Sequence, residues 1–268
     1  MKAVALDLDG TLLNSKHCVS PLAKKTLNEL VKSGIKIVLA SARPIQSVLQ
    51  IAQNIGLENE MMIGGNGSII AKNADEILYT NSILKSDLIN IFTSFKYFCE
   101  QNLKNELTMH IYSQFNWLVP YNTLKAQEEA RIIGFSPNII GDQSYQIDTA
   151  EKIMVVAHPD LLNNFSQFLK EKIKHLGVVL SKPDSLEINA QGVSKFSGVE
   201  EYAKLVSLGM SDFICMGDGD NDEKMLKNCG LGVAMANASL AARNAAKEIA
   251  LSNDQDGVAL FLRKYFSL

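Results

Sequence analysis

The chain has 268 residues, which is enough for one large core or for two domains of ordinary size. Hydrophobic residues make up 47% of it and charged residues 21%, a balance typical of globular proteins. The formal net charge is −3, and Lys and Arg form no cluster. The composition therefore argues against a basic surface for nucleic acid, and we expect no nucleic-acid partner.

The apolar runs and the cysteines indicate a cytoplasmic protein. The first apolar run is too short for the hydrophobic region of a signal peptide, and no later segment approaches the length of a membrane span. The four cysteines are scattered without a CxxC pair, which favours reduced thiols over a disulfide framework. We expect no membrane association, and the sequence leaves open whether the protein is a monomer or a homodimer.

Strand and helix patterns alternate over the first 56 residues. A continuous apolar run indicates a strand buried on both faces, and Ser20-Pro21 indicates the start of a helix that Gly34 ends. The predicted elements are a strand over 3–6, a helix over 21–34, a strand over 35–40 and a helix over 44–56. This order predicts βαβ units and a parallel sheet.

The same alternation returns near the end of the chain. Its predicted elements are strands over 213–216, 232–235 and 249–251, helices over 221–228 and 238–246, and a last helix from about Gly257. Between the two halves, longer helices and alternating strands follow each other. Here we predict helices over 83–102, 123–133 and 161–176, strand segments over 109–119 and 153–157, and two strand-like runs over 178–188.

These patterns predict an α/β protein with a Rossmann-like parallel-sheet core and an inserted α+β domain. The core is expected to comprise residues 1–81 and 188–268, and the insertion residues 82–187. Aromatic residues on the insertion are expected mainly to fill its own core, with substrate stacking as the alternative: Tyr112, Phe115, Trp117 and Tyr121.

Polar residues follow three of the predicted core strands. Asp7 ends the first strand, Ser41 the second, and Asp218 follows the strand over 213–216. Because ligands of an open parallel sheet bind beyond the carboxyl ends of its strands, these side chains are expected to lie close together. Asp7 and Asp9 are two residues apart, so one of them can act as a nucleophile while the other acts as general acid and base.

A carboxylate that attacks a phosphate dianion needs cations beside it. Two like charges about 4 Å apart repel by roughly 4 kcal/mol at an effective dielectric constant near 20. A divalent ion held by Asp7, Asp218 and the nearby acids would supply one cation, and oxygen ligands suit Mg²⁺. Lys195 is the candidate for the other. The expected donors to phosphoryl oxygens are the Ser41 hydroxyl and the backbone amides of Leu8 and Ala42.

Other sites are poorly matched by the sequence. A calcium loop starting at Asp218 would place Glu223 where Gly is needed and Cys229 where a bidentate acid is needed. The run 64–67, Gly-Gly-Asn-Gly, is expected to be a turn between strands that also faces the site. The histidines show no metal-ligand spacing and are each expected at the surface or hydrogen-bonded: His17, His110, His158 and His175.

At these residues the sequence resembles the haloacid dehalogenase superfamily of phosphotransferases, and within it the Cof-type phosphatases with a type IIB cap. The similar stretches are 7–12 (DLDGTL), Ser41, 192–195 (GVSK), 217–222 (GDGDND) with Met225-Leu226, 232–238 (GVAMANA) and 256–259 (DGVA). The chain departs from the usual pattern at Ala42 and Phe196, where Gly is common, and the shape of the pocket is open at these two positions.

The resemblance implies a role for each matching residue. Asp7 would be the nucleophile and Asp9 the general acid and base. Mg²⁺ would be bound by Asp7, the backbone carbonyl of Asp9 and Asp218, with Asp222 in support. The residues implied to hold the phosphate are Leu8, Ser41, Ala42, Lys195 and Asn221.

The function expected from this reasoning is Mg²⁺-dependent hydrolysis of phosphate monoesters of small metabolites through an aspartyl phosphate on Asp7. The insertion would act as a cap that selects the substrate. Two alternatives remain at the level of sequence. One is a phosphosugar mutase on the same scaffold, and the other is a non-enzymatic phosphate-accepting receiver or phospholigand sensor.

Overall fold

A computed structural model describes residues 1–101 and 107–268 of the chain. These residues form two compact units, Met1–Tyr79 with Ser194–Leu268, and Thr80–Val193. No helix in the described part of the chain is both long and apolar enough to cross a membrane.

The strands, in chain order, are β1 (Ala3–Leu6), β2 (Lys36–Leu39), β3 (Met62–Gly64), β4 (Ile69–Asn73), β5 (Glu76–Thr80), β6 (Ile83–Leu84), β7 (Leu107–Ser113), β8 (Asn116–Val119), β9 (Asn138–Ile139), β10 (Thr149–Ala150), β11 (Lys152–Ala157), β12 (Gly177–Lys182), β13 (Ser185–Asn189), β14 (Phe213–Gly217), β15 (Leu231–Ala234) and β16 (Glu248–Ile249). The helices are α1 (Pro21–Lys32), α2 (Ile45–Asn54), α3 (Lys85–Gln101), α4 (Leu124–Ile133), α5 (Pro159–Lys172), α6 (Lys195–Leu205), α7 (Glu223–Asn228), α8 (Leu240–Ala245) and α9 (Gly257–Phe266).

The first unit is built on a parallel five-stranded sheet in the order β16-β15-β14-β1-β2. All four residues of β1 are buried, as the continuous apolar run predicted. The α1 helix begins as expected, because the Ser20 side chain accepts a hydrogen bond from the Ala23 backbone and Pro21 occupies the first turn. The predicted α/β class with a parallel-sheet core is confirmed.

Two features of this unit were not predicted. One is a three-stranded sheet, β3-β4-β5, whose first strand is too short to give an alternating pattern. The other is α6, whose sequence carries Gly198 in its interior, where glycine weakens a helical pattern. The predicted helix over 221–228 is also shorter, since Asp220–Asp222 form a single 3₁₀ turn before α7.

The second unit contains a six-stranded sheet in the order β12-β13-β11-β7-β8-β9. Side chains on one face of its inner strands pack against α3 and α5, and those on the other face pack against α4. The expected boundary at residues 187–188 falls inside β13, an inner strand of this sheet. In the structure the second unit ends later, at Val193. The predicted helix over 83–102 begins at Lys85, and its last residue, Asn102, lies outside the described residues.

The aromatic residues of this unit serve mainly as packing. Trp117 and Tyr112 are buried and stack on each other, with ring centroids 6.2 Å apart, in the cluster beneath α4. Tyr121 packs against the cluster formed with α3 and α5, and Phe115 is half-buried.

His110 corrects the expectation that every histidine is exposed or hydrogen-bonded. Its side chain is fully buried beside Trp117, and neither ring nitrogen has a hydrogen-bond partner within the described residues. Burial, together with the charge of Lys152, lowers the pKa of His110 to about 3, so the ring is neutral at physiological pH. No local sequence pattern could show this burial, since it depends on α4 covering the face of β7 that carries His110. By contrast, the other three are exposed: His17, His158 and His175.

Candidate active site

Three carboxylates meet at the carboxyl end of the parallel sheet. Asp7 directly follows β1, and its backbone N–H donates to the carbonyl of Met216, 3.0 Å away on the neighbouring β14. Asp218 follows β14 directly. One ligand oxygen each from Asp7, Asp218 and Asp222 lies within 4.8 Å of the other two. Adjacent parallel strands thus bring together acids that are 211 residues apart in the chain.

Lys195 joins this cluster as its buried cation. Its Nζ donates to Asp7 Oδ1 at 2.5 Å and to Asp222 Oδ1 at 2.7 Å, and its side chain is only 2% exposed. Burial alone would lower the pKa of Lys195, but the charges of Asp222 and Asp7 outweigh it and raise the pKa above its ordinary value. Lys195 therefore remains charged throughout the physiological range.

Lys195 owes its position to the packing of α6. Lys195 is the first residue of that helix, and the helix dipole disfavours a positive charge at this end, so the helix by itself does not favour a lysine there. A Cβ on Gly198 would lie 2.6 Å from the Cα of Gly67, and a Cβ on Gly67 would lie 2.1 Å from the Ser194 carbonyl oxygen. The backbones meet at these two glycines, and this close approach brings the start of α6 to the carboxylates.

Asp222 organises the loop that carries Asp218. It is fully buried, and its Oδ2 accepts hydrogen bonds from the backbone amides of Asp218 and Gly219 at 3.0 and 2.9 Å. Its other oxygen accepts from Lys195. Both of its oxygens thus accept hydrogen bonds, which fix Asp222 against the loop and against Lys195.

Thr11 and Gly10 hold the carboxylate of Asp218 in place, and sequence reasoning assigned a role to neither. The Thr11 hydroxyl donates to Asp218 Oδ1 at 2.7 Å. Gly10 has φ of +81°, and a Cβ there would lie 2.3 Å from Asp218 Oδ2. Glycine is required because any side chain would both strain the backbone and displace the carboxylate.

Asp9 is paired with Arg43 by two hydrogen bonds. Arg43 donates from Nε to Asp9 Oδ2 at 2.7 Å and from Nη2 to Asp9 Oδ1 at 2.6 Å, in the fork geometry of strong arginine–carboxylate pairs. Burial would raise the pKa of Asp9, but the hydrogen bonds and charge of Arg43 outweigh it and lower the pKa. Sequence analysis could not reveal this pair, because its members are 34 residues apart.

The residues expected to donate to phosphate neighbour these acids, or Arg43, in the chain. Ser41 is buried at the end of β2, and its Oγ accepts from the Arg43 backbone amide at 3.1 Å. Leu8 is buried next to Asp7, and Ala42 follows Ser41. Asn221 lies on the Asp218 loop, where its Nδ2 donates to Asn66 Oδ1 at 3.5 Å. Asn66 belongs to the turn over 64–67, which joins β3 to β4.

The carboxylates of this site carry more charge than Lys195 balances. Burial raises the pKa of Asp7 well above its usual value; the charge of Lys195 opposes this, and that of Asp222 adds to it. Burial also raises the pKa of Asp218, against the hydrogen bond from Thr11. A second cation would relieve this repulsion, and an all-oxygen donor set of carboxylates fits Mg²⁺.

Comparisons with known proteins show the family and the fold of the chain. A family described as haloacid dehalogenase-like hydrolase matches residues 4–262. Phosphatase YwpJ of Bacillus subtilis is 27% identical, covering 98% of this chain and 99% of its own. A haloacid dehalogenase-like hydrolase from Bacteroides thetaiotaomicron has a TM-score of 0.90 at 28% identity, covering 99% of both chains. The HAD subclass IIB sugar phosphatase BT4131 shares the fold, with a TM-score of 0.79 at 21% identity over 100% of this chain and 99% of its own.

Proposed function

The chain belongs to the haloacid dehalogenase-like hydrolases and is a phosphatase, and we propose that Asp7 attacks the phosphorus of a small metabolite's phosphate monoester. The observation that carries this proposal is the contact of Asp7 with Lys195 inside a cluster of three carboxylates. A buried cation at 2.5 Å keeps a carboxylate available for attack while it offsets the charge of the arriving phosphate.

In the first half of the reaction, one Asp7 oxygen forms a bond to phosphorus as the ester bond breaks. The alcohol leaves with a proton from Asp9, and an aspartyl phosphate remains on Asp7. In the second half, Asp9 takes a proton from water, which attacks the phosphorus and releases inorganic phosphate. Lys195 and the donors at Ser41, Leu8, Ala42 and Asn221 hold the phosphoryl oxygens throughout.

Arg43 constrains the part that Asp9 plays. With both oxygens hydrogen-bonded to the guanidinium, Asp9 is ionised and has no proton to give. One oxygen must therefore turn away from Arg43 before it can protonate a leaving group. The half-exposed side chain of Asp9 has the freedom to do so.

Magnesium is the cofactor that we propose for this site. Asp7 and Asp218 would hold it, with the backbone carbonyl of Asp9 as a further ligand and Asp222 in support. When bound, Mg²⁺ would neutralise negative charge on the carboxylates and on the phosphoryl group. The pKa values of Asp7 and Asp218 are raised mainly by burial and in part by the neighbouring carboxylates, which supports the proposal because a bound cation would favour their ionised forms.

A set of phosphate monoesters assayed with and without Mg²⁺ tests the proposal. We expect Mg²⁺-dependent release of inorganic phosphate from several small esters, and loss of almost all turnover in Asp7→Asn, which keeps the volume of the side chain but removes the nucleophile. Near-normal activity in that variant would refute the mechanism. The same assay addresses the mutase alternative, which phosphatase relatives do not favour, because a mutase would release an isomeric sugar phosphate instead.

A further inference from the structure

The turn between β3 and β4 has an unusual backbone. Three successive residues adopt left-handed conformations: Gly65, Asn66 and Gly67, with φ of 57°, 63° and 102°. Glycine adopts such angles freely, and Asn adopts them more readily than most other residues. Strained backbone of this kind collects at functional sites, where a side chain must be held in one place.

Close packing excludes a side chain at both ends of this turn. A Cβ on Gly64 would lie 2.7 Å from the Cα of Ile45, and a Cβ on Gly67 would lie 2.1 Å from the Ser194 carbonyl oxygen. Asn66 carries the one side chain beyond hydrogen in a turn whose first and last residues must be glycine. The turn presents a single carboxamide on a backbone fixed from both sides.

Hydrogen bonds connect this turn to both loops that are proposed to bind phosphate. The backbone N–H of Asn66 donates to the Ser41 carbonyl at 2.9 Å, and that of Gly65 donates to the Arg43 carbonyl at 2.8 Å. The Asn66 side-chain oxygen accepts from Asn221 at 3.5 Å on the loop after β14. In this arrangement the Asn66 oxygen is the acceptor, and its Nδ2 hydrogens have no partner among the described residues.

We propose that Asn66 is a further phosphate-binding residue, whose Nδ2 donates to a non-bridging oxygen of the phosphoryl group. This inference rests on the proposed function, since it places the phosphate between Ser41 and Asn221. The ligand chemistry is that of a phosphate dianion, shared by the substrate and by the inorganic phosphate product.

Two substitutions distinguish the contribution of the Asn66 side chain from that of its backbone conformation. Asn66→Asp keeps the shape but exchanges the N–H donors for a charge that repels phosphate. Asn66→Gly removes the carboxamide and is compatible with the left-handed backbone, so it remains informative if the first variant folds poorly. Ser207→Gly is the matched control, because Ser207 also has a left-handed φ, 56°, and is exposed in the same unit after α6.

The measurements are the inhibition constant of inorganic phosphate and the kinetics of p-nitrophenyl phosphate, both with Mg²⁺. We expect Asn66→Gly to weaken phosphate inhibition and to raise KM by about tenfold, with a larger loss for Asn66→Asp, because a hydrogen bond to a charged group is lost. Ser207→Gly should match the wild type. Phosphate inhibition within about twofold of wild type in both Asn66 variants would overturn the inference.

The outcome for Asp7→Asn distinguishes this failure from failure of the proposed function. If Asp7→Asn is inactive while both Asn66 variants bind phosphate normally, the inference about Asn66 alone is wrong. If Asp7→Asn retains turnover, the proposed function is wrong, and the inference falls with it.

Discussion

At the scale of single residues, the two acids of the first loop experience opposite electrostatic environments. Asp7 is buried against Lys195 and further carboxylates, and its pKa is raised, whereas Asp9 is half-exposed and its pKa is lowered by Arg43. Such a separation is typical of carboxylate pairs that divide chemical roles. This separation alone would favour Asp9 as the ionised group, so the proposed roles rest instead on the contact of Asp7 with Lys195 and on the freedom of the half-exposed Asp9 to leave Arg43.

The role of Asp9 predicts a dependence on the leaving group. Asp9→Asn should slow hydrolysis of an alkyl phosphate much more than that of p-nitrophenyl phosphate, because the aryl oxide leaves without a proton. Steady-state rates on the two esters give the comparison. Arg263→Gln is a suitable control, since it removes an ion pair of 2.6 Å with Glu29 that lies on other elements of the same unit. Equal losses on both esters would remove the acid role from Asp9.

The carboxylates also predict how Mg²⁺ affects stability. A raised pKa in the folded state means that Asp7 and Asp218 favour folding when protonated. This contribution is present below the unfolded pKa of about 3.9 and is lost as pH rises through the folded-state pKa values. Because Mg²⁺ binds the ionised carboxylates, it should raise the midpoint of thermal unfolding more at pH 8 than at pH 5. Thermal melts with and without Mg²⁺ measure this, and an equal shift at both pH values would contradict it.

At the scale of elements, the active site depends on how closely α6 approaches the turn over 64–67. Gly198 and Gly67 allow this contact, and Lys195 begins the helix that it positions. The binding of Lys195 to two carboxylates thus depends on backbone packing three residues further along the chain.

Replacing Gly198 by Ala tests this dependence. Ala favours a helix by about 1 kcal/mol over Gly, but its Cβ would lie 2.6 Å from Gly67, so α6 must shift. We expect a net destabilisation of about 1–3 kcal/mol and reduced turnover. Gly209→Ala is the control, because the nearest atom to its added Cβ is 3.5 Å away. Chemical denaturation measures the free energy of unfolding, and steady-state kinetics measure the turnover. A Gly198→Ala protein as stable and active as wild type would show that α6 tolerates the shift.

The elements also show what could be predicted from sequence. The apolar runs of β1 and β14 predicted both strands and therefore the meeting of Asp7 with Asp218, because parallel strands end at one edge. The α6 helix was missed, since an interior glycine weakens its pattern although packing requires it. The Asp9–Arg43 pair and the burial of His110 depend on contacts between distant segments, which no local pattern records.

At the scale of the whole molecule, every residue proposed for catalysis lies in the first unit. The second unit, Thr80–Val193, contributes none of them and packs its aromatic residues largely within its own cores. We therefore propose that the first unit performs the chemistry and that the second selects the substrate.

Exchanging the second unit for a short Gly/Ser linker tests this division of labour. The shortened protein should still hydrolyse p-nitrophenyl phosphate slowly, but it should no longer discriminate among natural phosphate esters, because the chemistry needs only the first unit. The relative kcat/KM values over a set of esters provide the measurement, and circular dichroism checks that the shortened chain folds. An unchanged ranking of substrates would place specificity in the loops of the first unit.

The covalent state of Asp7 during turnover tests the central claim most directly. Borohydride reduces an aspartyl phosphate to homoserine, which peptide mass spectrometry locates by residue. Acid quenching during turnover with Mg²⁺, followed by reduction, should convert Asp7 to homoserine, and samples without substrate or with Asp7→Asn should show no such product. Full turnover with no homoserine at position 7, or with homoserine at another acid, would contradict the account.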